Sequence, residues 1–156
     1  MPLYFFTIAV LVGIDQGIKF LVRANLSAES NVELIPNLIH LTYQENKGIS
    51  FSMFANLSDS YRVPLLAGIS AIVVIGLIVY VIRRWSVLFT GEKWGFSLIL
   101  SGAIGNLLDR AIRAQVTDYM HFHFFQTSFF VNNFADDLIS IGFVLLLLYS
   151  FRKGKN

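Results

Sequence analysis

The chain has 156 residues, of which 55% are hydrophobic and only 14% are charged, and its mean hydropathy is +0.63. This composition is too apolar for an ordinary water-soluble domain and fits one compact membrane unit. The net charge of +2 forms no basic stripe of the kind that binds nucleic acid, and the lack of cysteine excludes disulfides, thiolate metal sites and cysteine nucleophiles.

Four apolar stretches are long enough to cross a bilayer, which takes about 20 residues of helix. They cover about 2–22, 62–82, 94–112 and 134–151. No basic residue precedes the first apolar run, so we expect a permanent helix there and not a cleaved signal peptide. The sequence therefore predicts an all-α integral membrane protein with four transmembrane helices, forming a single membrane domain over residues 1–156.

Lysine and arginine in the short loops predict the orientation of these helices. Three basic residues lie in the 83–93 loop, and three more lie in the tail after residue 151. Basic loops stay on the cytoplasmic side, so we expect the 83–93 loop and both termini to be cytoplasmic. The loops 23–61 and 113–133 then face outward.

Both outer loops contain segments with the period-two alternation of β-strands. In the first loop, residues 39–43 and 49–53 alternate apolar and polar side chains around "ENKG", which is typical of a turn. In the second, "MHFHFF" at 120–125 alternates and is strongly aromatic. We predict a small outer-face β-element whose aromatic side chains lie at the membrane interface.

Ionisable residues within membrane helices mark functional sites or paired charges. Asp15 and Lys19 are four residues apart in the first helix, so they share a face, and mutual neutralisation is their simplest role. A polar face of the third helix could act as an interfacial helix end or as a scaffold that holds loops or a polar ligand; it comprises Asn106, Asp109, Arg110 and Arg113.

Asp118 and Asp136 form the most suggestive pair of carboxylates. Asp118 follows the outward end of the third helix and Asp136 begins the fourth, so both lie at the same membrane depth. Two close carboxyl groups share one proton, which raises one pKa. The ionised member can activate water, and the protonated member can protonate a leaving amine. The alternative is that Asp136 and Asp137 only complement the positive end of a helix dipole.

The residue types allow two other kinds of catalytic site. Ser50 or Ser52 with Lys47 would form a serine–lysine peptidase, but that lysine lies in a polar turn, where it keeps its proton. His121 and His123 share a strand face and could bind a metal, but no HExxH motif is present.

A membrane carrier is the main alternative outside the enzymes. It would use a polar path formed by Asp15, Lys19, Asp109 and Asp136. These charges cluster toward the outer half of the predicted helices, which argues against a complete path.

Five ordered motifs resemble those of the lipoprotein signal peptidases, the type II signal peptidases. The motifs are "DQGIK" at 15–19, "ENKGISF" at 45–51, "GAIGNLLDR" at 102–110, "VTDYM" at 116–120 and "NFAD" at 133–136. Each motif is weak alone, but five in order over nearly the whole chain are specific. Departures from the family pattern occur at Ser101, Thr117 and Asn132, where glycine, valine and phenylalanine are usual.

The resemblance implies a membrane aspartyl peptidase whose catalytic residues are Asp118 and Asp136, with no metal and no cofactor. The residues that it implies for substrate binding and support are Asp15, Lys19, Asn46, Gly48, Gly102, Asn106, Asp109, Arg110, Asn133 and Ala135. The family's pattern also places a short surface helix near 49–54, so strand and helix both stay open there.

The resemblance also implies the partners and the location. The implied substrate is a bacterial prolipoprotein carrying diacylglycerol, cut before the lipidated cysteine, and membrane lipid is a further partner. Cyclic lipopeptides such as globomycin are the implied inhibitors. The implied location is the bacterial cytoplasmic (inner) membrane, with the active site at the outer face. A degenerate relative that binds lipoproteins without cutting them is a second alternative.

Overall fold

The computed structural model describes residues 1–48 and 58–153. The helices are α1 (Pro2–Asn25), α2 (Asp59–Arg84), α3 (Thr90–Arg113) and α4 (Phe134–Lys153). The strands are β1 (Val32–Ile35), β2 (Ile39–Asn46), β3 (Val116–Phe124) and β4 (Thr127–Asn132). Each helix contains one of the four predicted stretches and extends it by about one turn at most.

Three of the described helices are long and apolar enough to cross a membrane. They are Pro2–Asn25, Ser60–Arg84 and Phe134–Phe151, with hydropathies of 1.8, 2.9 and 1.8. Their outer surfaces expose large apolar side chains, among them Phe6 at 68% and Ile72 at 72%. Such surfaces suit lipid and not water. Helix α3 does not reach the same hydropathy, because it carries glycines, serines and the polar run ending in Arg113, so the fourth span stays a prediction.

Helix α3 forms the centre of the bundle, and α1, α2 and α4 all pack against it. Its buried face is built mainly from small residues, which let backbones approach closely. At Gly102, an added Cβ would overlap the carbonyl oxygen of Ala135 on α4. Helix α4 therefore packs directly on the backbone of α3, and its first turn has a fixed position.

The two outer loops together form one antiparallel sheet with strand order β1-β2-β3-β4. The predicted strand segment 39–43 falls within β2, and 120–125 falls within β3 except for Phe125, which lies just beyond its end. These strands pair with each other, and Gln44 lies opposite Asp118. The sheet is larger than the small β-element expected, because pairing between the loops satisfies backbone groups that neither loop satisfies alone. The predicted segment 49–53 lies outside the described residues.

Candidate active site

A buried lysine organises the polar residues between α1 and α3. Lys19 and Asp15 are fully buried, and the Lys19 Nζ–Asp15 Oδ2 distance is 3.0 Å. The same Nζ lies 3.1 Å from Asp109 Oδ2 and donates to Asn106 Oδ1 at 2.9 Å. All three ammonium donors are thus used. The predicted pairing of Asp15 with Lys19 is confirmed, and the structure adds two partners from α3.

The lysine is linked to Asp136 through one amide side chain. Asn106 accepts from Lys19 through Oδ1 and donates through Nδ2 to Asp136 Oδ1 at 2.8 Å. The cation therefore fixes which way the Asn106 amide faces, so that its NH₂ group points at the carboxylate. The Asp136 carboxylate is therefore held in place from the α3 side of the site.

The first turn of α4 is fixed by acceptors from two other elements. The backbone N–H of Phe134 donates to the Tyr119 hydroxyl at 3.2 Å, and the N–H of Ala135 donates to Asp15 Oδ1 at 3.1 Å. The first N–H groups of a helix have no partner within the helix and need such acceptors. Because Tyr119 belongs to β3 and Asp15 to α1, the start of α4 is tied to both.

Asn133 links the two aspartates directly. Its Nδ2 donates to Asp118 Oδ1 at 2.6 Å, and its Oδ1 accepts from the backbone N–H of Asp136 at 3.2 Å. On the other side, Asn46 at the end of β2 donates to Asp118 Oδ2 at 2.9 Å, and its own Oδ1 accepts from the N–H of Gly48. Both oxygens of Asp118 are thus held by amides whose orientation is already set.

The environment of Asp118 changes its acidity. The residue is 3% exposed, and burial raises the pKa of its carboxyl group to about 6. The negative charge of Asp136 raises it further, while the hydrogen bonds from Asn133 and Asn46 and the charge of Lys19 oppose the rise. A carboxyl group with this pKa exchanges its proton near neutral pH, which is what acid–base catalysis requires.

The structure therefore brings together every residue implied for the site. They lie in or beside α1, α3, α4 and the sheet strands β2 and β3, and Arg110 interacts electrostatically with Asp136 and Asp118. The residues in question are Asp15, Lys19, Asn46, Gly48, Gly102, Asn106, Asp109, Arg110, Asp118, Asn133, Ala135 and Asp136. Arg113, predicted on the same helix face, is exposed.

Asp137 points away from the pair. Its Oδ1 accepts from Asn132 Nδ2 at 2.7 Å. The departure from the family pattern at position 132 thus supplies a local partner for the second aspartate. Asp136, and not Asp137, is joined to Asn106 and Asn133 by the hydrogen bonds described above.

The residues of the other catalytic hypotheses are placed as follows. His121 and His123 lie on β3 beside His40, with His40 and His123 ring centroids 4.1 Å apart. Within the described ranges, no group of three or more histidine or acidic side chains is arranged to hold a metal ion. Ser50 and Ser52 lie outside the described residues.

Sequence reasoning assigned no role to Tyr119 or Thr117. Tyr119 lies next to Asp118 and accepts from α4, while the Thr117 hydroxyl accepts from Arg23 at 2.9 Å. The Thr117 N–H also donates to Asp109 at 3.2 Å. The sequence shows polar side chains at successive positions of β3, which could have indicated that these residues make hydrogen bonds. No sequence pattern, however, predicts which partners Thr117 and Tyr119 contact.

Comparison with known proteins gives a consistent family. Residues 7–152 match the signal peptidase (SPase) II family. A lipoprotein signal peptidase of Fusobacterium nucleatum is 36% identical over 147 residues, covering 94% of this chain and 84% of that protein. A lipoprotein signal peptidase of Brucella ovis is 38% identical over 152 residues, covering 94% of this chain and 88% of that protein.

Two solved structures described as bacterial membrane enzymes share the fold. One has a TM-score of 0.83 at 22% identity and covers 99% of this chain and 90% of its own. The other has a TM-score of 0.82 at 23% identity and covers 96% and 92%. At such identities the likeness concerns the fold, whereas the sequence matches concern the family. The chain belongs to the signal peptidase II family.

Proposed function

We propose that the protein is an aspartic endopeptidase that removes signal peptides from diacylglyceryl-modified bacterial prolipoproteins, cleaving before the lipidated cysteine. Membership of the signal peptidase II family supports the reaction. The observation that carries the mechanism is the bridge by Asn133, which donates to Asp118 and accepts from the backbone of Asp136. Because one asparagine contacts both aspartates, the two carboxyl groups are held near each other.

In the proposed reaction the two aspartates divide the proton transfers. Asp118, whose pKa is raised to about 6 by burial, supplies the proton. Asp136 acts as the base and takes a proton from water while the water oxygen adds to the scissile carbonyl carbon. Asp118 then protonates the amide nitrogen, the C–N bond breaks, and one carboxylic acid and one amine result. The proton on Asp136 returns to Asp118 through exchange with water.

The surrounding residues have supporting roles in this proposal. Lys19, with Asp15 and Asp109, orients Asn106, which in turn orients Asp136. Arg110 would donate to the substrate's carbonyl or ester oxygens, Gly48 keeps Asn46 oriented through its N–H, and Gly102 allows α4 to approach. A cyclic lipopeptide such as globomycin would bind across the same carboxyl pair.

We propose four membrane spans with both termini in the cytoplasm and the aspartates at the outer face of the inner membrane. The basic residues of the 83–93 loop support this orientation. Helix α3 crosses as the fourth span, and its packing against α1, α2 and α4 supports this. Residues 1–156 then form a single membrane domain. The acyl chains of the substrate stay in the bilayer while its scissile bond reaches the interface.

The test is a cleavage assay with purified protein and a diacylglyceryl-modified prolipoprotein in detergent. Asp118→Asn and Asp136→Asn should each lower the rate by about 10²–10⁴-fold, the usual contribution of a general acid or base. Asp137→Asn is the matched control and should retain most activity, because that carboxylate is engaged by Asn132. A metal chelator should have no effect.

Three results would contradict the proposal. An active Asp136→Asn beside an inactive Asp137→Asn would assign the wrong carboxylate. Inhibition by chelators would show that the reaction needs a metal ion and would rule out the aspartate mechanism. No cleavage by folded wild-type protein, while the lipidated substrate still binds, would instead make the chain a degenerate lipoprotein-binding relative.

A further inference from the structure

A second feature lies at the end of the bundle opposite the candidate active site. An apolar groove is formed there by α1, α2 and α3, and its walls include Tyr4 and Ile8 on one side and Val81 and Trp85 on the other. Ser97 and Leu100 form its floor. The Ser97 hydroxyl donates to the carbonyl of Lys93 at 2.8 Å, so even this polar side chain offers the groove no free donor.

The floor of the groove leads to a lysine. Lys93, Ser97 and Leu100 have i, i+4, i+7 spacing and share one face of α3. Seven residues of helix span about 10 Å, so the groove runs about that far inward from the level of Lys93. A chain lying in the groove would therefore start beside the ammonium group and continue over purely apolar surface.

Lys93 has no anionic partner in the part of the chain that the structure describes. No carboxylate oxygen lies within ion-pair distance of its Nζ among residues 1–48 and 58–153. The neighbouring Glu92 carboxylate is used to accept the backbone N–H of Phe89 at 2.8 Å. The ammonium group instead lies 5.0 Å from the centre of the Trp85 ring, on the wall of the groove.

Aromatic and basic residues mark this end of the groove as an interfacial level. The Tyr4 ring packs against Trp85 at 5.1 Å and against Trp94 at 4.7 Å between centroids. Tryptophan and tyrosine prefer the headgroup region of a bilayer. Arg83 and Arg84, in the last turn of α2, are exposed nearby in sequence and add positive charge. Anionic headgroups are attracted to such clusters.

We propose that this groove is a binding site for an anionic phospholipid of the adjoining leaflet, with the phosphate beside Lys93 and one acyl chain along Ser97 and Leu100. The apolar walls of the groove would bind the acyl chain. The unpaired lysine on the groove wall explains why the headgroup is anionic and not zwitterionic, since a net negative charge gives that lysine the partner that the protein does not supply.

The experiment compares phosphatidylglycerol with phosphatidylcholine of the same acyl chains, added to purified protein in detergent. Thermal unfolding is followed for wild type, Lys93→Gln and the matched control Lys47→Gln, which removes an exposed lysine outside the groove. Phosphatidylglycerol should raise the midpoint of wild type and of the control by about 2–4 °C more than phosphatidylcholine does. Lys93→Gln should lose this difference, and Lys93→Arg should keep it.

A groove-filling variant separates recognition in the groove from general surface attraction. Ser97→Phe should abolish the selective stabilisation while Lys93 is still present, and native mass spectrometry should show the loss of a retained phosphatidylglycerol. Equal stabilisation by both lipids would overturn the proposal, as would a phosphatidylglycerol preference that persists in Lys93→Gln. A change from dimer to monomer on filling the groove would assign it to a second copy of the chain instead.

Discussion

Replacing Asp118 by asparagine should make the protein progressively more stable relative to wild type as pH rises from about 4 to about 8. The carboxyl group has a pKa of about 6 in the folded protein and 3.8 as the ordinary value, and burial is the main cause. A difference of about two pKa units corresponds to about 3 kcal/mol. This is the free energy by which the folded state disfavours the charged form of Asp118.

The direction follows from proton linkage. Because the folded pKa is raised, this carboxyl group stabilises the folded state fully below pH 3.8, and that contribution is lost as pH rises through about 6. An asparagine cannot ionise and so has no such loss. A constant penalty also applies: Asn46 and Asn133 both donate to this position, so the new NH₂ group faces a donor, which costs about 1–3 kcal/mol at every pH.

The measured quantity is therefore the difference in unfolding temperature between the variant and wild type, followed as a function of pH. Thermal unfolding followed by the fluorescence of Trp85 and Trp94 should show the variant gaining on wild type by roughly 6–12 °C over this range, given about 2–4 °C per kcal/mol for a chain of this size. Groups that titrate in both proteins change both stabilities equally, so they do not affect this difference. Glu29→Gln, which removes an exposed carboxylate, controls for the loss of one negative charge.

A flat difference between pH 4 and 8 would refute the reasoning, since it would mean that burial does not disfavour the Asp118 carboxylate. A variant that instead loses stability relative to wild type as pH rises would contradict it more strongly, because it would mean that hydrogen bonding from Asn133 and Asn46 outweighs burial. In either case Asp118 would not be the proton donor of the proposed mechanism.

Two further substitutions test how the site is held together. Tyr119→Phe removes the acceptor of the half-buried Phe134 N–H, so we expect a loss of about 1–3 kcal/mol in stability, measured by denaturation. Tyr61→Phe, at an exposed residue of α2, is the control. An unchanged midpoint in Tyr119→Phe would show that this N–H finds another partner. Gly102→Ala places a methyl group against the Ala135 carbonyl oxygen, so α4 must move away from α3. We expect this overpacking to cost about 1–3 kcal/mol of stability together with most of the cleavage activity. Full activity would show that the two helices need no such close contact.

The sequence determined the helices and the chemistry of the candidate site. Apolar stretches of bilayer length are a local property, and each predicted stretch lies within an observed helix. The i, i+4 spacing of Asp15 and Lys19 also sufficed to predict their ion pair, because residues one turn apart on a helix are neighbours whatever surrounds them. Ordered motifs gave the family, which the comparisons confirm.

Only the tertiary structure decided how these pieces meet. The sheet joins two loops separated by two helices, and such long-range pairing leaves no local signal. Asp15 was expected to neutralise a lysine, yet it also accepts the N–H of Ala135, 120 residues away. Asp136 accepts from Asn106 whereas Asp137 accepts from Asn132, a difference that two adjacent positions in the sequence do not reveal. Helix periodicity tells which side chains share a face, but burial and hydrogen bonding across elements decide what that face contacts, and those interactions exist only in the folded chain.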